Sequence, residues 1–66
     1  MNTKSAYPAR LYFTKFFTDG LLKGMRVEDD MGFVTAGDAM QWVRAVNAKN
    51  ADGRLEYRVS AYSVNW

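Results

Sequence analysis

Arg10 to Thr18, RLYFTKFFT, is the stretch on which the fold turns. It is dense in aromatic and β-branched residues, the strongest strand signal in the chain. Asp19-Gly20 follows at once, a pair suited to a tight hairpin because both residues accept positive φ. Leu22 to Glu28 then reads as a second, antiparallel strand, with Gly24 marking a bulge or a close backbone approach inside it. Asp29 to Gly32 reads as a loop, and Phe33-Val34 either extends a strand or plugs the core.

Lys15 decides which face of the first strand looks inward. A lysine resists unpaired burial, and side chains alternate along a strand. Pointing Lys15 to solvent carries Leu11, Phe13 and Phe17 outward with it and turns Tyr12, Thr14 and Phe16 toward the core. The opposite register buries more apolar surface but traps the lysine, and a bulge would satisfy both demands. With Lys15 outward, Leu11, Phe13 and Phe17 form an exposed apolar patch, a feature that in soluble proteins marks an interface.

Downstream, Thr35 is a good N-cap, and Asp38 three residues later completes an imperfect capping box near the positive end of the helix dipole. At 100° per residue Ala36, Ala39, Val43 and Val46 fall on one stripe. Met40 and Trp42 flank that stripe, Trp42 as an edge of the core, while Gln41 and Arg44 face away. Asn47 to Gly53 is rich in turn formers and ends the helix. Arg54 to Val64 is a long final strand, with Leu55, Tyr57, Val59 and Ala61 on one face and Glu56, Arg58, Ser60 and Tyr62 on the other. It is expected to pair beside the first strand.

The expected fold is therefore α+β: one small antiparallel sheet in the order ββαβ, with one amphipathic helix packed on one face. The 66 residues make a single domain, residues 1–9 being a loose lead-in. A chain of this length buries only about 60% of the surface that its unfolded form exposes. One helix covers one sheet face, yet the strands carry bulky rings on both, so the surplus face must meet solvent, a second copy or another partner.

Composition narrows the function. The chain has no cysteine and no histidine, which removes disulfides, thiolate metal sites, the commonest metal ligand and the commonest general base. Serine and threonine hydroxyls lack a partner base, so no catalytic residue is assigned and the chain is not read as an enzyme. Glu28, Asp29 and Asp30 form the one like-signed run, without the spacing of a calcium loop. They read as a solvated turn or, alternatively, as a mimic of nucleic-acid phosphates. GLLKG, residues 20–24, lacks the length and the ending of a phosphate loop. No metal and no cofactor is expected. Nine basic and seven acidic residues give a net charge of +2, mild for a nucleic-acid coat. No apolar run approaches the roughly 20 residues of a membrane span, and Met1 to Ala6 lacks the apolar core of a signal peptide. The expected location is the cytoplasm.

The candidate partner-binding residues are Phe13, Lys15, Phe17, Arg26, Arg58 and Tyr62. Arginines beside exposed rings suit protein hot spots and single-stranded nucleic-acid platforms alike. Trp66 either tucks into the end of the sheet or serves as a contact.

YFTKFFTDGLLKGMRV at 12–27, FVTAGDAMQWV at 33–43 and a closing strand resemble small orphan proteins of phages and other mobile elements, anti-CRISPR proteins among them. The resemblance covers Leu11 to Val64 and rests on size, element order and Phe33, Thr35, Ala39 and Trp42. It implies stoichiometric binding inside a bacterial host cell, with a defence ribonucleoprotein as the blocked partner. Such proteins share no sequence signature, so the resemblance transfers no functional residue. The alternatives are a small nucleic-acid-binding or regulatory protein that uses a basic, aromatic sheet face, and a homodimer whose open face pairs with itself.

Overall fold

The structure is a computed structural model and describes residues 8–65. The expectations for residues 1–7 of the lead-in and for Trp66 lie outside the described residues. Four elements follow one another: β1 (Ala9–Phe17), β2 (Arg26–Phe33), α1 (Ala36–Ala51) and β3 (Tyr57–Asn65). Both strand pairs are antiparallel and the sheet order is β2-β1-β3, so β1 is central and β3 lies beside it as expected. The fold is the α+β, ββαβ arrangement with one helix. Ala9 belongs to β1 and is buried, so the strand begins inside the stretch expected as a loose lead-in.

The helix starts where its cap places it. Thr35 is extended (φ −131°, ψ 159°), and its hydroxyl accepts the Asp38 N–H at 3.1 Å. Ala39, Val43 and Val46 are its buried residues, joined in the core by Leu11, Phe13 and Val59. Trp42 closes the edge of this core, its ring 4.9 Å from Phe13 and 6.1 Å from Phe33. Phe33 thus ends β2 and packs on the core, while Val34 is exposed. The helix runs on through Asn47 and Asn50 to Ala51 instead of stopping at Asn47. The two asparagine amides that would otherwise form local turns bond the backbone of another segment. Asn47 accepts the Val59 N–H and donates to the Val59 carbonyl, and Asn50 donates to the Leu55 carbonyl at 2.9 Å and to the Thr18 hydroxyl at 2.7 Å.

The first hairpin is longer than a two-residue turn. Gly20 does take positive φ (+81°), but the N–H groups of Thr18 and Asp19 both donate to the Glu56 carbonyl, at 2.7 and 3.2 Å. That draws the chain toward the entry of β3 before it can turn back. The hairpin closes lower down: Phe17 N–H donates to the Met25 carbonyl at 2.9 Å and Gly24 N–H to the Phe17 carbonyl at 2.8 Å. Two residues, Gly24 and Met25, thus oppose one, with Gly24 at φ +89°, the geometry of a glycine bulge. Leu22 therefore lies in the turn, and β2 begins at Arg26. Glu28 to Asp30, expected in a solvated turn, lies in the middle of β2. This register sets Met31 beside Leu11 and Phe33 beside Ala9, where both reach the core.

The register of β1 is the reverse of the expected one. Leu11 and Phe13 are buried under the helix at 0% and 4% exposure, while Tyr12 stands out at 48%. Lys15 shares their face without being stranded. Its ammonium lies 3.2 Å from the Asp29 carboxylate and 5.1 Å from the centre of the Tyr57 ring. The apolar gain of burying Leu11 and Phe13 decides the register, and the neighbouring strands supply the lysine's partners.

Candidate interaction surface

Cross-strand pairing assigns the outer face, the one away from α1. Phe16 lies opposite Arg26 on β2 and opposite Arg58 on β3, one row across three strands. The Arg26 and Arg58 guanidiniums sit 5.6 and 5.3 Å from the centre of the Phe16 ring. Each is within range of a cation–π contact, worth about 0.5–1 kcal/mol at an exposed site. Neither arginine pairs with a carboxylate among the described residues.

The opposite charge lies further along the same face. Thr14 is flanked by Glu28 and Ala61, and Tyr12 by Asp30 and Ser63. Tyr12, Glu28, Asp30, Ala61 and Ser63 line an open concavity of about 550 Å³. Arg10 approaches Asp30 at 3.6 Å across two exposed side chains, an ion pair that contributes little to stability. Asp29 points the other way, toward Lys15, so the three consecutive carboxylates do not converge. Among the described residues no cluster of histidine, cysteine, aspartate and glutamate could hold a metal ion.

Of the six expected contact residues, only Arg26 and Arg58 reach the outer face. Phe13 is core, because its ring fills the space under Trp42. Phe17 is half-buried and packs on Tyr57, their ring centres 5.4 Å apart. Lys15 is paired with Asp29 on the helix side. Tyr62 also leaves the face that Arg58 occupies. The ladder between β1 and β3 slips between Thr14 and Lys15, which pair with Ala61 and Val59 and leave Ser60 as the extra residue. Beyond that bulge the parity of β3 reverses. Ala61 joins the outer face, and Tyr62, opposite Phe13, lies on the helix side at 46% exposure.

Residues that sequence reasoning turned inward, Tyr12 and Phe16, carry the outer face instead, together with Glu28 and Asp30. An available signal was that Asp29 lies within a plausible second strand and can neutralise Lys15, which removes the reason for pointing the lysine to solvent. Among the described residues no helix is long and apolar enough to cross a membrane. Compared with protein-family models, curated proteins and solved structures, the chain matches none.

Proposed function

We propose that this chain is a non-catalytic binding module that docks on a partner protein through the outer face of its sheet. The observation that carries this reading is the composition of that face. The Arg26–Phe16–Arg58 row, whose arginines meet no carboxylate among the described residues, stands at one end, and exposed Tyr12 stands between Asp30 and Ser63 at the other, with Glu28 nearby. Arginine and tyrosine are the residues that dominate protein interfaces. Mixed charge within one face favours a protein over a nucleic acid. A phosphate backbone laid along the sheet would gain from Arg26 and Arg58 but would be repelled by Glu28 and Asp30. A protein surface can present carboxylates to the first pair and a lysine or arginine to the second. The resemblance to anti-CRISPR proteins supplies the partner class, a defence ribonucleoprotein in the cytoplasm of a bacterial host.

Native mass spectrometry against a panel of purified CRISPR effector ribonucleoproteins tests this reading. One-to-one binding to at least one complex is expected. Arg58→Ala or Tyr12→Ala should weaken that binding by roughly 30-fold, the effect of losing about 2 kcal/mol at a hot spot. Failure to bind any complex, together with tight binding of single-stranded DNA that weakens steeply with salt, would transfer the outer face to the nucleic-acid reading.

A further inference from the structure

Among the described residues the sheet order β2-β1-β3 leaves two strands with an unpaired edge, and the two edges differ. The eight residues of β2 include Arg26, Glu28, Asp29 and Asp30. Charged side chains along an edge oppose pairing with another chain. In β3 the last charged residue is Arg58, and Val59 to Asn65 carries none. No charged side chain in that run protects its edge.

Part of this edge is closed from within. The Val59 N–H donates to Asn47 Oδ1 at 2.7 Å, and Asn47 Nδ2 donates to the Val59 carbonyl at 3.4 Å. The asparagine amide occupies the place a neighbouring strand would take. Beyond Val59, no side chain bonds the backbone of Ser60 to Asn65 among the described residues. Ser60, Ala61, Tyr62, Ser63 and Asn65 are exposed, and only Val64 is half-buried.

We infer that the edge of β3 from Ser60 to Val64 pairs antiparallel with the same edge of a second copy. The Asn47 clamp bounds the free run in each copy, and a two-fold arrangement that uses Ser60 to Val64 is centred on Tyr62. In that register Tyr62 meets Tyr62 of the second copy, Ala61 meets Ser63, and Ser60 meets Val64. No charged side chain faces a like charge, and the central pair is aromatic on aromatic, a favourable cross-strand combination. The Tyr62 self-pair at the centre and the absence of charge from the run are the reason to name a second copy as the occupant rather than a foreign strand. The contact is isologous and keeps both helices on one side, so the two outer faces join into one continuous surface. Five paired residues make a small interface, so the association is weak and reversible. This inference does not depend on the partner reading above.

Sedimentation equilibrium from micromolar to millimolar protein tests it. The mass should rise with concentration from 7.5 kDa toward twice that value. Tyr62→Lys places two like charges at the two-fold axis and should weaken self-association at least about tenfold, with the melting temperature of the dilute protein unchanged. Because the chain has no cysteine, Tyr62→Cys gives a unique thiol. It should oxidise to a disulfide-linked dimer much faster than Leu21→Cys, a fully exposed position on the hairpin loop. A mass that stays at 7.5 kDa at millimolar protein overturns the inference. So does cross-linking of Tyr62→Cys no faster than the loop control. A dimer abolished by Tyr12→Lys but untouched by Tyr62→Lys also overturns it, because self-pairing then occurs through the outer face.

Discussion

The side chain of Asn47 pairs with the backbone of Val59 much as one strand residue pairs with another. It accepts the Val59 N–H at 2.7 Å and donates to the Val59 carbonyl at 3.4 Å. This joins the last turns of α1 to β3 next to the bulge at Ser60, where the ladder to β1 slips. Asn47→Ala leaves both backbone groups of a buried residue short of a partner. The expected loss is about 1–3 kcal/mol, read as a lower urea midpoint. A midpoint equal to that of the parent would show that water replaces the amide at no cost.

Phe13 and its chain neighbour Tyr12 should respond to truncation in opposite ways. Phe13 is buried against Trp42, and Phe13→Ala removes a large side chain from the core of a small domain. A loss of about 3–5 kcal/mol is expected. Tyr12→Ala alters the exposed outer face and should move stability by only about 0.5 kcal/mol. Thermal melts of the two variants decide the register of β1: if Tyr12→Ala proves the more damaging, the strand is turned over.

The number, type and order of the elements are legible in the sequence because each rests on a local signal. RLYFTKFFT has no good alternative to a strand, and Thr35 with the stripe Ala39, Val43 and Val46 fixes both the start and the buried side of the helix. The faces of the sheet are not legible in this way, because they depend on contacts between distant residues. Lys15 belongs in solvent only if Asp29 lies in a loop; once β2 runs through Asp29, the lysine has a partner and the larger apolar residues take the inside. Tyr62 departs from the expected face for a second reason. The alternation from Leu55 onward is real, but one extra residue at Ser60 reverses it, and nothing in Ser60 itself announces a bulge. The candidate surface inherits both errors. Arg26 and Arg58 are legible because arginines beside aromatics stand out in any register, whereas Tyr12 and Phe16 depend on the register itself.

Gly24 tests the hairpin. Its φ of +89° lies where L side chains are disfavoured, yet a Cβ built there would meet nothing within 4 Å. Any loss from Gly24→Ala is therefore backbone strain, about 1–2 kcal/mol. Asparagine tolerates positive φ better than alanine, so Gly24→Asn should recover part of the loss. Equal denaturation midpoints for the alanine variant and the parent would mean that the turn adopts another conformation in solution.

Acid stability should report the Lys15–Asp29 pair. The Asp29 carboxyl is held below its ordinary value of 3.8, first by the hydrogen bond it accepts from the Asp30 N–H and then by the Lys15 ammonium. The N–H bond is 2.8 Å and the ion pair 3.2 Å. Because the folded-state value lies below the unfolded one, the folded protein holds the proton less tightly. The resulting stability is fully present above the unfolded value of 3.8 and is lost as the pH falls through the lower, folded value. Asp29→Asn removes this titration. The variant should be less stable than the parent at neutral pH, and the two stability curves should converge as the pH falls below 3.8. Because the Asp29 carboxylate is exposed and Lys15 is only half-buried, salt should narrow the difference at neutral pH. Urea titrations of both proteins between neutral pH and pH 2 would measure it. A constant gap across that range would show that Asp29 acts by packing rather than by its charge.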